Sequence, residues 1–247
     1  MNILSIGNSF SQDAQRYLHK IAKSDNTEIT AVNLYIGGCS LYEHYINMLN
    51  ENRIYSFEYN GESTGLFVSI REALSSRNWD VITLQQASRD SFTYDAYEPY
   101  LAELYAYVKK FVPKAKVYMH QTWAYQDDSN LLKLRTKYAN FHEMFLDVKD
   151  AYFKAADAVS AYGIIPSGEL VDTMYSAGIS NVQRDPAHVS LGVGRYALGL
   201  LWYSLLTGRD IAQIDFREFD EAVSEEEIQI VKNCVSKTLT KYIGVNK

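Results

Sequence analysis

The stretch Ile3-Leu4-Ser5-Ile6-Gly7-Asn8-Ser9-Phe10-Ser11 decides how the rest of the chain is read. Ile3, Leu4 and Ile6 form a short apolar run with β propensity, Gly7 and Asn8 break it, and a helical pattern begins near Gln12. The order is strand, tight turn, helix. In an open parallel sheet such a turn lies at the carboxyl end of a strand, where α/β proteins carry their sites. Ser9 stands in the turn, beside the free N–H groups that open the next helix, so an oxygen nucleophile there has oxyanion donors at hand. The plainer alternative is a simple turn with Ser9 or Ser11 as helix N-cap.

Outward from this point, apolar runs alternate with amphipathic ones. Gln12 to Lys23 carries an apolar stripe at helical spacing. Thr27 to Ile36 is a second strand, ended by Gly37-Gly38, after which Ser40 caps a helix with Glu43 at its third position. Arg53 to Val68 has the pattern of a local hairpin around Asn60-Gly61, followed by a helix over Ser69 to Ser76. Asp80 to Leu84 and Lys116 to His120 are further strands, separated by an amphipathic helix over Pro99 to Val112. A long helical region with a break covers Asn130 to Tyr162, and Gly163 to Pro166 is a short fifth strand. Helices over Glu169 to Ser176, Ser190 to Leu206 and Ser224 to Tyr242 complete the chain. No proline- or glycine-rich linker and no internal repeat divides it. The expectation is therefore one α/β domain over residues 1–247, a three-layer α/β/α sandwich around a central five-stranded parallel sheet.

Composition excludes several classes. At 247 residues with 47% hydrophobic content the chain can bury a full core. A net charge of −6 argues against nucleic acid and anionic membranes as partners. No run is long and apolar enough to insert in a membrane. Cys39 and Cys234 are the two cysteines, too few for a disulfide framework. The histidines show no metal-ligand spacing, so neither metal nor cofactor is expected. No leader is visible, which fits either a cytoplasmic protein or a mature form whose leader has been removed.

A second signal lies far along the chain, in Asp185-Pro186-Ala187-His188. Asp and His three apart on a loop before a helix can face one way, the carboxylate holding one ring nitrogen while the other faces a nucleophile. The plainer alternative is a turn-capping Asp185 and a lone loop histidine.

Taken together, the Gly7-Asn8-Ser9-Phe10 turn, the Gly37-Gly38 turn and the Asp185 to His188 element resemble the GDSL/SGNH hydrolase family, over nearly the whole chain. The resemblance implies a flavodoxin-like SGNH hydrolase fold. It implies Ser9 as nucleophile, His188 as general base and Asp185 as the acid that orients it. It also implies an oxyanion hole from the N–H groups of Ser9 and Gly38. The family's Gly-x-Asn-Asp at the third parallel strand is missing. Gln85-Gln86-Ala87-Ser88-Arg89-Asp90 stands there instead, and Gln86 is the preferred substitute for the oxyanion asparagine, with Arg89 the other candidate. Sialate-type acetylesterases of the superfamily also carry a glutamine near that place. Asn8, Arg89, Gln121 and Trp123 are candidate substrate contacts, with Trp123 either stacking on a sugar or covering the core. His120 reads as a packed residue, and Cys39 has nothing near it in sequence to activate it.

The function implied is a serine esterase that cleaves an ester through an acyl-enzyme on Ser9. The substrate class expected is an O-acetyl or other short acyl group on a carbohydrate. The alternatives are a noncatalytic glycan- or small-ligand-binding protein on the same fold, or a thioesterase or lipase of the same family.

Overall fold

A computed structural model describes residues 1–243 of the chain. Its frame is a seven-stranded mixed sheet: β1 (Asn2–Gly7), β2 (Thr30–Tyr35), β3 (Tyr55–Tyr59), β4 (Glu62–Val68), β5 (Val81–Leu84), β6 (Lys116–His120) and β7 (Gly163–Ile165), in the spatial order β4-β3-β2-β1-β5-β6-β7. The pairs β2–β1, β1–β5, β5–β6 and β6–β7 are parallel, with Ile3 opposite both Ala31 and Val81. The strands expected from sequence are present, but the expected five-stranded sheet is too small. The hairpin read as local adds β3, antiparallel to β2, and β4, antiparallel to β3. Its sequence alternates weakly because β4 is an exposed edge strand and has no inner face to bury. Asn60 and Gly61 both take positive φ (53° and 84°), as a tight hairpin turn requires.

The order within the parallel part, second strand, first, third, fourth, fifth, reverses direction beside β1. Right-handed crossovers then place the helices before and after the reversal on opposite faces. The helix contacts agree. α3 (Leu41–Leu49), α4 (Ile70–Ser75) and α5 (Tyr100–Phe111) pack on one another. The first crossover helices, α1 (Ser9–Gln15) and α2 (Leu18–Ser24), pack apart from these, against α9 (Val193–Thr207), which with α8 (Ser167–Ser176) and α10 (Glu225–Ile243) follows the last strand. The region over 130–162 forms two helices, α6 (Asn130–Arg135) and α7 (Phe141–Ala158). The stripe over 12–23 is also split, at Arg16-Tyr17, where Arg16 turns out of the helix to reach the Gly61 carbonyl and Asp220. Ile3, Leu4, Val32, Ile82 and Leu84 lie fully buried in the middle of the sheet. Burial on both faces explains why these strands read as continuous apolar runs rather than alternating ones.

Ligands of open α/β sheets bind at the carboxyl ends of the strands flanking the reversal. Here those ends are β1 and its two neighbours, so the segments after Gly7, Tyr35 and Leu84 share one rim.

Candidate active site

The turn after β1 is tighter than the sequence implies. The helix starts at Ser9, not near Gln12, and Asn8 is the N-cap. Asn8 Oδ1 accepts the Phe10 N–H at 3.0 Å and the Gln85 amide at 2.7 Å, while its own amide donates to the Cys39 carbonyl at 3.0 Å. One side chain thus ties the nucleophile turn to the ends of β5 and β2. Ser11 completes the capping box: its hydroxyl accepts the Asn8 N–H at 3.1 Å and lies 2.8 Å from Asn33 Oδ1 and 2.9 Å from the Asn8 carbonyl, the two acceptors open to its proton. Behind Gln85 stands His120, whose two ring nitrogens meet Gln85 Oε1 at 2.8 Å and Ser167 Oγ at 3.1 Å. Burial holds the His120 pKa down to about 3, so the ring is a neutral link in a buried chain, a packed residue at its strand end.

On this support Ser9 is half-buried, and its hydroxyl donates to His188 Nε2 at 2.8 Å. His188 Nδ1 faces both oxygens of Asp185, at 3.0 and 2.9 Å. The hydroxyl, ring and carboxylate lie in relay, although 179 positions separate the serine from the histidine. Burial pushes the Asp185 carboxyl up. The Ala187 and His188 N–H groups, each donating at 2.8 Å, and the His188 ring outweigh that and hold it below the usual carboxylate range. The acid is therefore ionised at neutral pH and fixes the imidazole in the tautomer that accepts the serine proton. Phe10 packs against the imidazole at 5.9 Å between ring centroids. Trp123 donates to the Ala187 carbonyl and the Gln126 N–H to that of Pro186, so the loop is held from the β6 side as well.

The glycine turn after β2 closes with a hydrogen bond from the Cys39 N–H to the Ile36 carbonyl, and Gly38 takes φ +64°. Positive φ at the third position of such a turn is the glycine's own requirement. The N–H groups of Ser9 and Gly38 donate to no acceptor among the described residues. The Gly38 carbonyl is held by Arg89 Nη1 at 2.7 Å, and Arg89 Nη2 binds Glu43 at 2.9 Å.

Several candidate residues lie elsewhere than expected. Gln86 is 1% exposed and its amide is turned to backbone groups: Oε1 accepts the Leu41 and Ala87 N–H groups, and Nε2 donates to the Ala96 carbonyl at 2.9 Å. It holds two loops together, its oxygen and one of its two amide hydrogens spent on backbone groups. Of the two candidates for the missing asparagine, Arg89 is the one beside Gly38. Trp123 is 0% exposed, tilted against Phe10 with ring centroids 4.2 Å apart, and covers the core instead of facing a sugar. Gln121 is also buried, accepting the Glu169 N–H and reaching Tyr242. Asn8 is a buried structural cap, not a substrate contact. Cys39 does have a neighbour that sequence spacing did not suggest, His44 Nδ1 at 3.5 Å. Burial nevertheless raises the thiol to about 12 and lowers His44 to about 4, so the pair is inert. Among the described residues no group of three or more His, Cys, Asp or Glu is placed to hold a metal ion.

Gln85 escapes the sequence reading, and Ser11 is read there only as a candidate N-cap. Gln85 differs from Gln86 only in which way its side chain points just past the end of β5, and Ser11 lies at the third helical position with its hydroxyl turned back on the Asn8 backbone.

The fold is the one shared by SGNH hydrolases and GDSL-type lipases. A candidate SGNH hydrolase from Slackia heliotrinireducens superposes with a TM-score of 0.60 at 23% identity, over 83% of this chain and 98% of that one. A candidate GDSL-like lipase from Parabacteroides merdae gives 0.58 at 15% identity, over 84% and 95%. Within that class, residues 2–238 match the family described as a domain of unknown function, DUF4886, and the chain belongs to it. The structure of a DUF4886 family protein from Bacteroides uniformis covers all of this chain and 96% of that one, with a TM-score of 0.92 at 31% identity. No curated protein matches the chain.

Proposed function

We propose that this protein is a serine esterase whose acyl-enzyme forms on Ser9. The observation that carries the proposal is the relay of Ser9 Oγ, His188 and Asp185 at 2.8 and 2.9 Å. In this reading Ser9 Oγ attacks the ester carbonyl as its proton passes to His188 Nε2. The N–H groups of Ser9 and Gly38 receive the carbonyl oxygen as it becomes an anion. The imidazolium then protonates the departing alcohol, and water attacks the acyl-serine with His188 again as base. Arg89, which grips the Gly38 carbonyl, is the side chain at the end of β5 that supports the oxyanion loop. An O-acetyl or other short acyl group on a carbohydrate is the substrate class the family resemblance favours. The side chains of His188 and Asp185 are 29% and 42% exposed, and an open relay of this kind accepts a bulky alcohol portion.

The test is turnover of p-nitrophenyl acetate, with labelling by a fluorophosphonate probe. Turnover and labelling of the wild type, both lost in a folded Ser9→Ala variant, are expected. The absence of an asparagine at the end of β5 favours a second reading, a noncatalytic glycan-binding protein on the same scaffold. That reading requires the wild type to stay unlabelled while binding sugar.

A further inference from the structure

The relay joins two segments from opposite ends of the sequence, and loop hydrogen bonds are not all that joins them. Asp13 lies on α1 one helical turn after Ser9 and is fully buried. Arg184 Nη1 reaches both its oxygens, at 3.1 and 3.0 Å, and Arg195 Nε reaches Oδ1 at 2.8 Å. Arg184 is the residue before Asp185. Its backbone N–H donates to the His188 carbonyl at 3.0 Å, and Nη1 also donates to the Val189 carbonyl. Arg195, in the first turn of α9, donates its N–H to the Ser190 carbonyl at 3.0 Å. The two arginines therefore hold the 185–190 loop from either end, Arg184 by its N–H and guanidinium and Arg195 by its N–H, while both guanidiniums fasten to Asp13 on the helix that carries Ser9.

We propose that Asp13 is a positioning residue: its carboxylate, through Arg184 and Arg195, sets the acid–base loop at its working distance from Ser9. The inference rests on the serine esterase reading above. A buried ion cluster is a poor way to gain stability, since apolar residues of similar volume do as well or better, but it specifies direction and distance. Asp13 also governs a competition. Arg184 Nε already lies 3.9 Å from Asp185 Oδ2, a marginal ion pair that tightens if the guanidinium is released. Held on Asp13, the guanidinium leaves Asp185 to His188. Without the Asp13 charge, Arg184 swings onto Asp185, and the imidazole loses its partner.

The test compares the wild type with Asp13→Asn, which keeps shape and loses charge, well below the unfolding temperature of each. The expected result is a ~10-fold or larger fall in kcat on p-nitrophenyl acetate, since small misplacements of reacting groups carry large rate penalties. KM should hold within about twofold. Labelling of Ser9 by a fluorophosphonate should slow by the same factor as kcat, which loss of stability alone would not produce. Arg184→Lys should retain more activity than Arg184→Gln. The double variant Asp13→Asn/Arg184→Gln should be no slower than the slower single, because both act through one contact. Wild-type kcat and labelling in Asp13→Asn, with only the melting temperature lowered, overturn the inference and leave the esterase reading standing. If Asp13→Asn fails to fold, the Arg184 pair decides: equal, wild-type kcat in both overturns it. A wild type that is never labelled overturns the esterase reading and this inference together.

Discussion

Gly7→Ala probes how the nucleophile turn is built. Gly7 ends β1, and its φ is not positive, so the glycine is there for space and not for conformation. A β-carbon at this position would overlap Ser11 Oγ and come within 3.0 Å of both Ser11 Cβ and Gln85 Oε1. Neither neighbour is a loose side-chain tip. Ser11 is buried and hydrogen-bonded to Asn8 and within reach of Asn33, and Gln85 is clamped between Asn8 and His120. Overpacking of this kind costs about 1–3 kcal/mol. Displacing the Ser11 hydroxyl also leaves the buried Asn8 N–H unpaired, about 1–3 kcal/mol more. Replacing glycine in a strand returns ~0.5–1 kcal/mol of backbone entropy. The net is about 3 kcal/mol, or roughly 6–12 °C in Tm for a chain of this size. Thermal unfolding followed by circular dichroism measures it. A second arm adds Ser11→Ala, which removes the overlapping oxygen. The double variant should be more stable than the sum of the singles predicts, by about 1–2 kcal/mol. A Tm for Gly7→Ala within about 1 °C of wild type, or strictly additive singles, would show that the turn is looser than this account requires.

Asp185→Asn should keep the fold while kcat falls by up to ~10⁴, because an amide can hold the imidazole in the wrong tautomer; steady-state kinetics beside an unchanged circular dichroism spectrum check it. Gly38→Ala forces a side chain into φ +64°, worth about 1–2 kcal/mol. A shifted turn withdraws one oxyanion donor, so kcat should fall by up to ~10²–10³ with KM little changed. Asp220, hydrogen-bonded to Arg16 and Arg195, has its carboxyl lowered to about 2, chiefly by the Arg16 guanidinium. A depressed folded pKa contributes stability above the unfolded value of ~3.9 and loses it as pH falls through the folded one. Tm should therefore drop between about pH 5 and 2, and Asp220→Asn should flatten that slope.

The legible parts of this chain are those governed by local periodicity. Lys116 to His120 appears as a strand with the expected bounds, and Ser40 and Glu43 form the expected capping box. Asp185 and His188 reveal themselves because their contact is local, three positions apart. What stays hidden depends on which way a residue points once strands have paired. Gln85 and Gln86 are chemically the same, and only the pleat decides that one braces the nucleophile turn while the other binds Ala96. Trp123 follows β6 as a rim residue would, yet its indole turns inward because Phe10 offers it a face. The hairpin's place in the sheet depends in part on Gly61, where a β-carbon would overlap the Arg16 carbonyl oxygen. Such long-range steric fits leave no periodic trace.

The distance in sequence between Ser9 and His188 has a consequence for synthesis. During translation Ser9 emerges well before His188, which follows 179 positions later. Contacts of such separation form late, after the intervening loops have been closed at an entropic cost. Until α9 docks on α1, the Ser9 hydroxyl lacks its His188 partner. A fragment that ends before His188 is therefore incapable of the proposed chemistry, and competence arises in one step, when the two segments meet.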